Sequence, residues 1–240
     1  MKPGILSIDI GGTGLKADVI DDRGNLQTER VRVPTPHPSP PDVVVAAIVE
    51  MVGSLPAYDR ISIGFPGVVR DGKVLTAVNL GPEQWLDFPL AATLSKKLGG
   101  HPARLLNDAD MQGYALVSGK GLELVITLGT GFGSALFRDG ELMPHMELGH
   151  HPFRNNKTYE DYLGDAHLKR VGKKRWNKHV RQALDVLYRL LHPDRIYLGG
   201  GNTRKLESGL PAYAVVGSND AGIEGGAALW RKPAKPAKSR

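Results

Sequence analysis

The sequence predicts an α/β protein built from two related lobes facing a shared cleft, and three observations carry that prediction. Three glycine-rich turns, Gly11-Gly12-Thr13-Gly14, Gly129-Thr130-Gly131 and Gly199-Gly200-Gly201, each follow a short apolar run of strand character. Strand-like hairpins continue beyond the first two turns, where a dinucleotide-binding unit would place a helix. The strand, turn and glycine pattern around Asp9 is echoed over 127–141, which favours two lobes over one doubly wound sheet.

Taken in order, Ile5 to Asp9 leads to the first turn and Leu15 to Ile20 follows it. Asp21-Asp22-Arg23-Gly24-Asn25 makes a hairpin turn into a strand from Leu26 to Val33. Pro34 to Pro41 holds five prolines in eight residues, a stiff connection. Asp42 is expected to cap a helix over Val43 to Val52 that Gly53 ends. Ile61 to Phe65 reads as a strand stopped by Pro66-Gly67, and Pro89 to Leu98 as a helix stopped by Gly99-Gly100. Arg104 to Leu106 is a short strand delivering Asn107-Asp108 to a helix over Ala109 to Ser118. Strands follow at Leu122 to Leu128, Ser134 to Arg138 and Leu142 to Pro144. Val180, Leu184, Leu187 and Leu191 recur at helical spacing within Lys174 to Leu191. Strands at Ile196 to Gly199 and Ala214 to Val216 and a helix from Asp220 to Trp230 close the pattern. The expected division is 1–107 for one lobe, rejoined by the helix 220–230, and 108–219 for the other, with 231–240 a flexible basic tail.

At 240 residues, 41% of them hydrophobic and 23% charged, the chain has the composition of a water-soluble globular protein. Its longest apolar run, near Val43 to Val49, is too short to span a membrane. Asp9 and a glycine turn arrive too early for a signal peptide, so a cytoplasmic location is expected. With no cysteine there is neither a disulfide framework nor a thiolate metal site. The net charge of +6 is uneven. Seven Lys or Arg and no acid stand between Lys169 and Arg181, with Lys174, Lys178 and Arg181 on one helical face. Such a run is either a solvated face or a grip on a polyanion.

A glycine turn at a strand end admits a ligand close to the backbone and aims N–H groups at an anion. Gly11, Gly12 and Thr13, with the Lys16 ammonium, fit a phosphate, and Asp9 could hold magnesium through water; the alternative is a tight hairpin with a buried Asp. Asn107-Asp108 at a helix start is either a helix cap or, with Asp110 in the same turn, a carboxylate suited to general-base use. Glu147-Leu148-Gly149-His150 offers a carboxylate and an imidazole to vicinal hydroxyls. His145, Glu147, His150 and His151 also cluster, but without cysteines or a helical His pair at i, i+4 the pattern weighs against zinc.

Asp9 to Lys16, Asn107 to Asp110, Leu128 to Ser134 and Glu147 to His150 stand in the order and spacing of the ROK sugar kinases, which the chain resembles. Pro193 to Gly201 and Asn219 to Ala227 extend the resemblance to all but the basic tail, and the lack of a cysteine-rich zinc motif is similar to the polyphosphate glucokinase branch. The resemblance implies an actin-like (ribonuclease H-like), two-lobed sugar kinase fold that transfers phosphoryl from inorganic polyphosphate, and also ATP, to the 6-hydroxyl of glucose. It implies Asp108 as general base and Gly67, Asn79, Asn107, Glu147 and His150 around the sugar. Gly11 to Thr13 and Gly129, Thr130 and Gly131 would hold phosphates, while Gly199, Gly200, Gly201 and Asn219 would flank adenosine. Lys174, Lys178 and Arg181 would extend the grip on a long polyphosphate. Magnesium is the expected metal, a homodimer the expected assembly, and neither nucleic acid nor membrane an expected partner. The other readings are an ATP-dependent ROK kinase for another hexose and a catalytically silent sugar-binding protein.

Overall fold

The computed structural model describes residues 4–78, 80–217 and 221–230. The chain divides into two compact units, one running through Ala115 and resuming at Gly222, the other Leu116–Ala221.

In the first unit, β1 (Gly4–Ile10) turns through the first glycine segment into antiparallel β2 (Gly14–Ile20), and β3 (Val31–Pro34) adds outside it. After α1 (Pro41–Val52), β4 (Tyr58–Phe65) lies parallel to β1. A small ribbon, β5 (Val69–Arg70) with β6 (Lys73–Val74), precedes the short helix α2 (Pro82–Trp85) and α3 (Leu90–Lys97). β7 (Ala103–Asn107) is parallel to β4 and runs directly into α4 (Asp108–Leu116). The sheet order is β3-β2-β1-β4-β7.

The second unit repeats this plan. β8 (Leu122–Leu128) turns through 129–131 into antiparallel β9 (Phe132–Arg138), and β10 (Glu141–Leu142) adds outside it. A second ribbon, β11 (Pro152–Arg154) and β12 (Lys157–Thr158), leads into α5 (Tyr159–Leu163), α6 (Asp165–Val171) and α7 (Lys173–Leu191). β13 (Arg195–Gly199) is parallel to β8, and β14 (Ala214–Val216) is parallel to β13, giving the order β10-β9-β8-β13-β14. The last helix, α8 (Ala221–Ala228), belongs to the first unit.

Strand alternation sorts the side chains of each sheet. In the first unit Leu6, Ile8, Ala17, Val19, Ile61 and Ile63 share a core with Val44, Val45 and Ile48 of α1 and Leu94 of α3. The opposite face buries the small polar Ser7 and Ser62 beside Ile5 and Ile20, which pack on Ala227 and Trp230 of the C-terminal segment. Helices α4 and α8 approach it closely. The Ser62 hydroxyl donates to the Gly226 carbonyl at 2.7 Å, and Trp230 Nε1 donates to the same hydroxyl at 2.8 Å. A Cβ on Gly64 would stand 2.7 Å from Met111 Cε, and one on Gly225 would strike the Met111 carbonyl oxygen. In the second unit α7 lays Val180, Ala183, Leu184 and Leu187 on Leu124, Ile126, Ile196 and Leu198, as its apolar period predicts.

Three details differ from expectation. The segment after the Asp21 turn is not a continuous strand from Leu26: Leu26 makes a single bridge with Ile20, through the Gln27 N–H to the Val19 carbonyl at 2.8 Å, and the Thr28 hydroxyl then accepts the Val19 N–H at 3.4 Å. That hydroxyl bond takes the place of the next ladder bond, and pairing resumes at Val31. Helix α1 begins at Pro41, so Asp42 sits in its first turn, where its charge meets the helix dipole, and is not the cap. The outer strand after Asp139-Gly140 stops at Leu142, before Pro144.

Gly225→Ala should destabilise the protein by roughly 1–3 kcal/mol, the usual cost of overpacking, seen as a lower urea midpoint. Gly129→Ala, where a Cβ meets nothing within 4 Å, should leave the midpoint nearly unchanged.

Candidate active site

Three parallel strands of the first unit deliver their carboxyl ends to one edge of the sheet, which is where open α/β sheets bind ligands. β1 brings Asp9, whose carboxylate meets the Lys16 ammonium of the facing β2 position at 2.7 Å. Both side chains are more than a third exposed, so this pair is worth at most about 1 kcal/mol and leaves both charges accessible. The turn beyond is closed by the Gly11 N–H on the Gly14 carbonyl at 3.0 Å, and the Thr35 hydroxyl donates to the Gly11 carbonyl at 2.6 Å. Thr13 is exposed at its tip. β4 ends in Pro66-Gly67, where a Cβ on Gly67 would collide with the Thr76 carbonyl.

β7 brings Asn107 and Asp108. The Asn107 side chain makes the cap its sequence allows: Oδ1 accepts from the Ala109 N–H at 2.8 Å, while Nδ2 donates to the Gly67 carbonyl at 3.1 Å. One amide thus caps α4 and ties two strand ends together. Asp108 and Asp110 share the first turn of α4 but not one surface: Asp110 is 2% exposed, whereas Asp108 is half-buried. Asp108 Oδ1 also accepts from the Ala109 N–H at 2.7 Å.

In the second unit the corresponding turn is latched from three sides. The Gly129 N–H donates to the Gly131 carbonyl at 3.1 Å, the Asp165 N–H donates to the carbonyls of Gly129 and Thr130 at 3.1 Å, and Asn202 Nδ2 donates to the Gly129 carbonyl at 3.0 Å. Glu160 Oε2 accepts from the Phe132 N–H at 3.2 Å and occupies the space a Gly131 side chain would need. Gly200 has φ +86°, and a Cβ there would stand 2.5 Å from the Leu128 carbonyl oxygen. The glycines therefore fall into two kinds. Backbone stands where a Cβ on Gly11 or Gly200 would lie and the movable Glu160 carboxylate where one on Gly131 would, but at Gly129 and Gly201 an added Cβ would meet nothing within 4 Å, so open space borders these two positions.

Glu147 precedes the short helical turn Leu148–His150, whose His150 N–H donates to the Glu147 carbonyl at 3.2 Å. His145 Nε2 lies 3.6 Å from Glu147 Oε2, an ion-pair distance rather than a hydrogen bond. The His145 imidazole holds the Glu147 carboxyl below the ordinary carboxylate range against the opposing effect of burial, with His150 adding to it. Gly149 lies against the Phe132 carbonyl oxygen, 2.5 Å from where a Cβ would stand, which sets this turn beside the start of β9. On α7, Lys174 and Lys178 are exposed. Arg181 turns away toward the following loop, donating to the Ser208 carbonyl at 3.1 Å and standing 3.7 Å from Glu207. Asn79, Asn219 and the tail 231–240 lie outside the described residues.

Among the described residues no three metal-ligating side chains converge. Magnesium carried on phosphate oxygens needs only one or two protein carboxylates, and the accessible Asp9 at a strand end fits that requirement. Thr35, Glu160, Asp165 and Asn202, which position the two turns, carry no local sequence signal because each acts on a turn distant in the chain.

The ROK family sequence profile matches residues 5–160. The chain is 34% identical to polyphosphate glucokinase from Mycobacterium tuberculosis (strain CDC 1551 / Oshkosh) over 235 residues, covering 92% of this chain and 88% of that protein. Among solved structures it is similar to the inorganic polyphosphate/ATP-glucomannokinase from Arthrobacter sp. strain KM, with 32% identity and a TM-score of 0.84 over 94% of this chain and 97% of that one. A ROK family glucokinase from Streptomyces griseus, in complex with glucose and AMPPNP, shares the fold at 21% identity, with a TM-score of 0.77 over 94% and 98%. The two repeated sheets are those of the actin-like sugar kinase fold.

Proposed function

The chain belongs to the ROK family and is a phosphotransferase with a sugar hydroxyl as acceptor, and from that premise we propose that it transfers a phosphoryl group from inorganic polyphosphate, and also from ATP, to the 6-hydroxyl of glucose. The observation that carries this reading is the set of groups at the strand ends. A half-buried carboxylate, Asp108, opens α4 beside an amide that already fixes the end of β4. Open space borders Gly129, on a turn held rigid from behind.

In this reading Asp108 takes the proton of the sugar hydroxyl as its oxygen attacks the terminal phosphorus. The bond from that phosphorus to the bridging oxygen breaks, and the shortened donor leaves with the electron pair. Asn107, Gly67, Glu147 and His150 bind the sugar; Glu147, ionised at neutral pH under the influence of His145 and His150, accepts from hydroxyls. The backbone N–H groups of the two glycine turns, with Thr13 and Lys16, hold phosphate oxygens, and such fixed donors cost no reorganisation during transfer. Asp9 would hold magnesium, which would supply positive charge to the donor phosphates. Gly199 to Gly201 flank the adenosine when ATP is the donor. The 34% identity to a polyphosphate glucokinase supports polyphosphate over ATP as the main donor.

Asp108→Asn should lower kcat by roughly a hundredfold to ten-thousandfold, the range for a lost general base, with an unchanged unfolding midpoint; turnover within a few-fold of wild type removes Asp108 from the role. Lys174→Glu with Lys178→Glu should raise KM for polyphosphate several-fold more than KM for ATP, and equal effects on both donors reduce that helix face to solvated surface. Arg181 is left intact in this variant because of its contacts with Glu207 and Ser208.

A further inference from the structure

A cavity of about 580 Å³ opens in the second unit, among α5, α6, α7 and the β11–β12 ribbon. Its size falls within the range of small-molecule sites. Its rim carries Lys157, Arg170 and Arg175, and its floor is formed by Tyr162, His167 and His179. No carboxylate lines it, and among the described residues none of the three rim cations is ion-paired to an acid. Glu160 and Tyr162, two positions apart on α5, face different neighbours: Glu160 meets the Gly131 turn, Tyr162 the two imidazoles. The cavity is therefore not the glycine turn itself.

The protons on its floor can be assigned. A guanidinium only donates, so with Arg170 Nη2 2.7 Å away, His167 Nδ1 must accept. His167 Nε2 then carries the proton and donates to His179 Nδ1 at 3.0 Å, which leaves the His179 proton on Nε2. Both rings are held neutral. Burial, chiefly, pushes each below the ordinary histidine value; Arg170, Arg175, Lys157 and the partner imidazole add to this for His167, and Arg175, Arg154 and Lys178 for His179. A nearby acid, Asp161, caps α5 with Thr158, and Lys157 and Arg170 are close enough to help hold its carboxyl below the ordinary range, so it offsets part of the rim charge without lining the cavity. Such a concentration of positive charge around two neutral imidazoles is relieved by an anion.

We propose that this cavity is a second anion site, separate from the Gly129 turn, that binds phosphoryl oxyanions through the Lys157, Arg170 and Arg175 side chains above the neutral His167–His179 pair. Free orthophosphate and the internal phosphates of a chain offer the same oxygens, and the volume favours a run of several phosphates.

The test uses the full chain with 15N-labelled histidine, titrated with orthophosphate or with tripolyphosphate at constant ionic strength, following the ring resonances of His167 and His179 (assigned with His179→Gln). Saturable shifts of both rings are expected at pH 7.5, where both imidazoles are neutral. Lys157→Gln with Arg175→Gln, which leaves the Arg170–His167 bond in place, should weaken binding by roughly tenfold or more, while Asp108→Asn should not change it. Tripolyphosphate binding far more tightly than orthophosphate identifies a chain site; equal affinities identify a single-phosphate site. Rings unmoved by either anion, or shifts indifferent to the rim substitutions, overturn the proposal. Glucose phosphorylation is not the readout, so a failed kinase assay and a failed anion site remain distinguishable.

Discussion

Parallel pairing of β1, β4 and β7 in one unit, and of β8, β13 and β14 in the other, decides where chemistry can happen in this protein. Strands that run the same way end at the same edge, and the antiparallel β2 and β9 return from that edge through a glycine turn. Asp9, Gly11, Gly67, Asn107 and Asp108 are therefore neighbours by topology, although nearly a hundred residues separate the first from the last. The second unit gathers Gly129 and Gly200 in the same way. Ladder pairing fixes the edge, and the side chains need only complete it.

Completion comes from polar contacts that each do two things. Asn107 caps α4 while holding the Gly67 carbonyl, and the Asp165 N–H, at the start of α6, holds the turn after β8. Glu123, fully buried on β8, accepts from the N–H groups of Ser118 and Gly119 at 2.8 Å and of Lys120 at 3.2 Å, and from the Tyr197 hydroxyl at 3.1 Å. Its carboxylate organises the loop that follows α4, with donors enough to offset the cost of burying the charge.

Much of this was legible in the sequence because glycine and alternation report on the backbone directly. The strand-turn-strand runs at Asp9 and Thr127, the helix at 174–191 and the placement of Asp108 at a helix start are local properties. The less legible parts depend on partners far along the chain. Nothing near Gly129 announces Asn202 or Asp165, and the basic run from Lys169 to Arg181 does not show that His167 and His179 meet beneath it. The extended strand expected from Leu26 failed because a Thr hydroxyl competed for the ladder, a choice set by geometry and not by propensity. The sequence placed Lys174, Lys178 and Arg181 on one face, but only the contacts show that Arg181 engages the loop beside it.

The most direct measurement is product formation: purified protein with magnesium and glucose, given polyphosphate in one reaction and ATP in another, with glucose 6-phosphate quantified in each. The account predicts product from both donors, more efficiently from polyphosphate. Absence of glucose 6-phosphate with either donor, from folded protein, would contradict it.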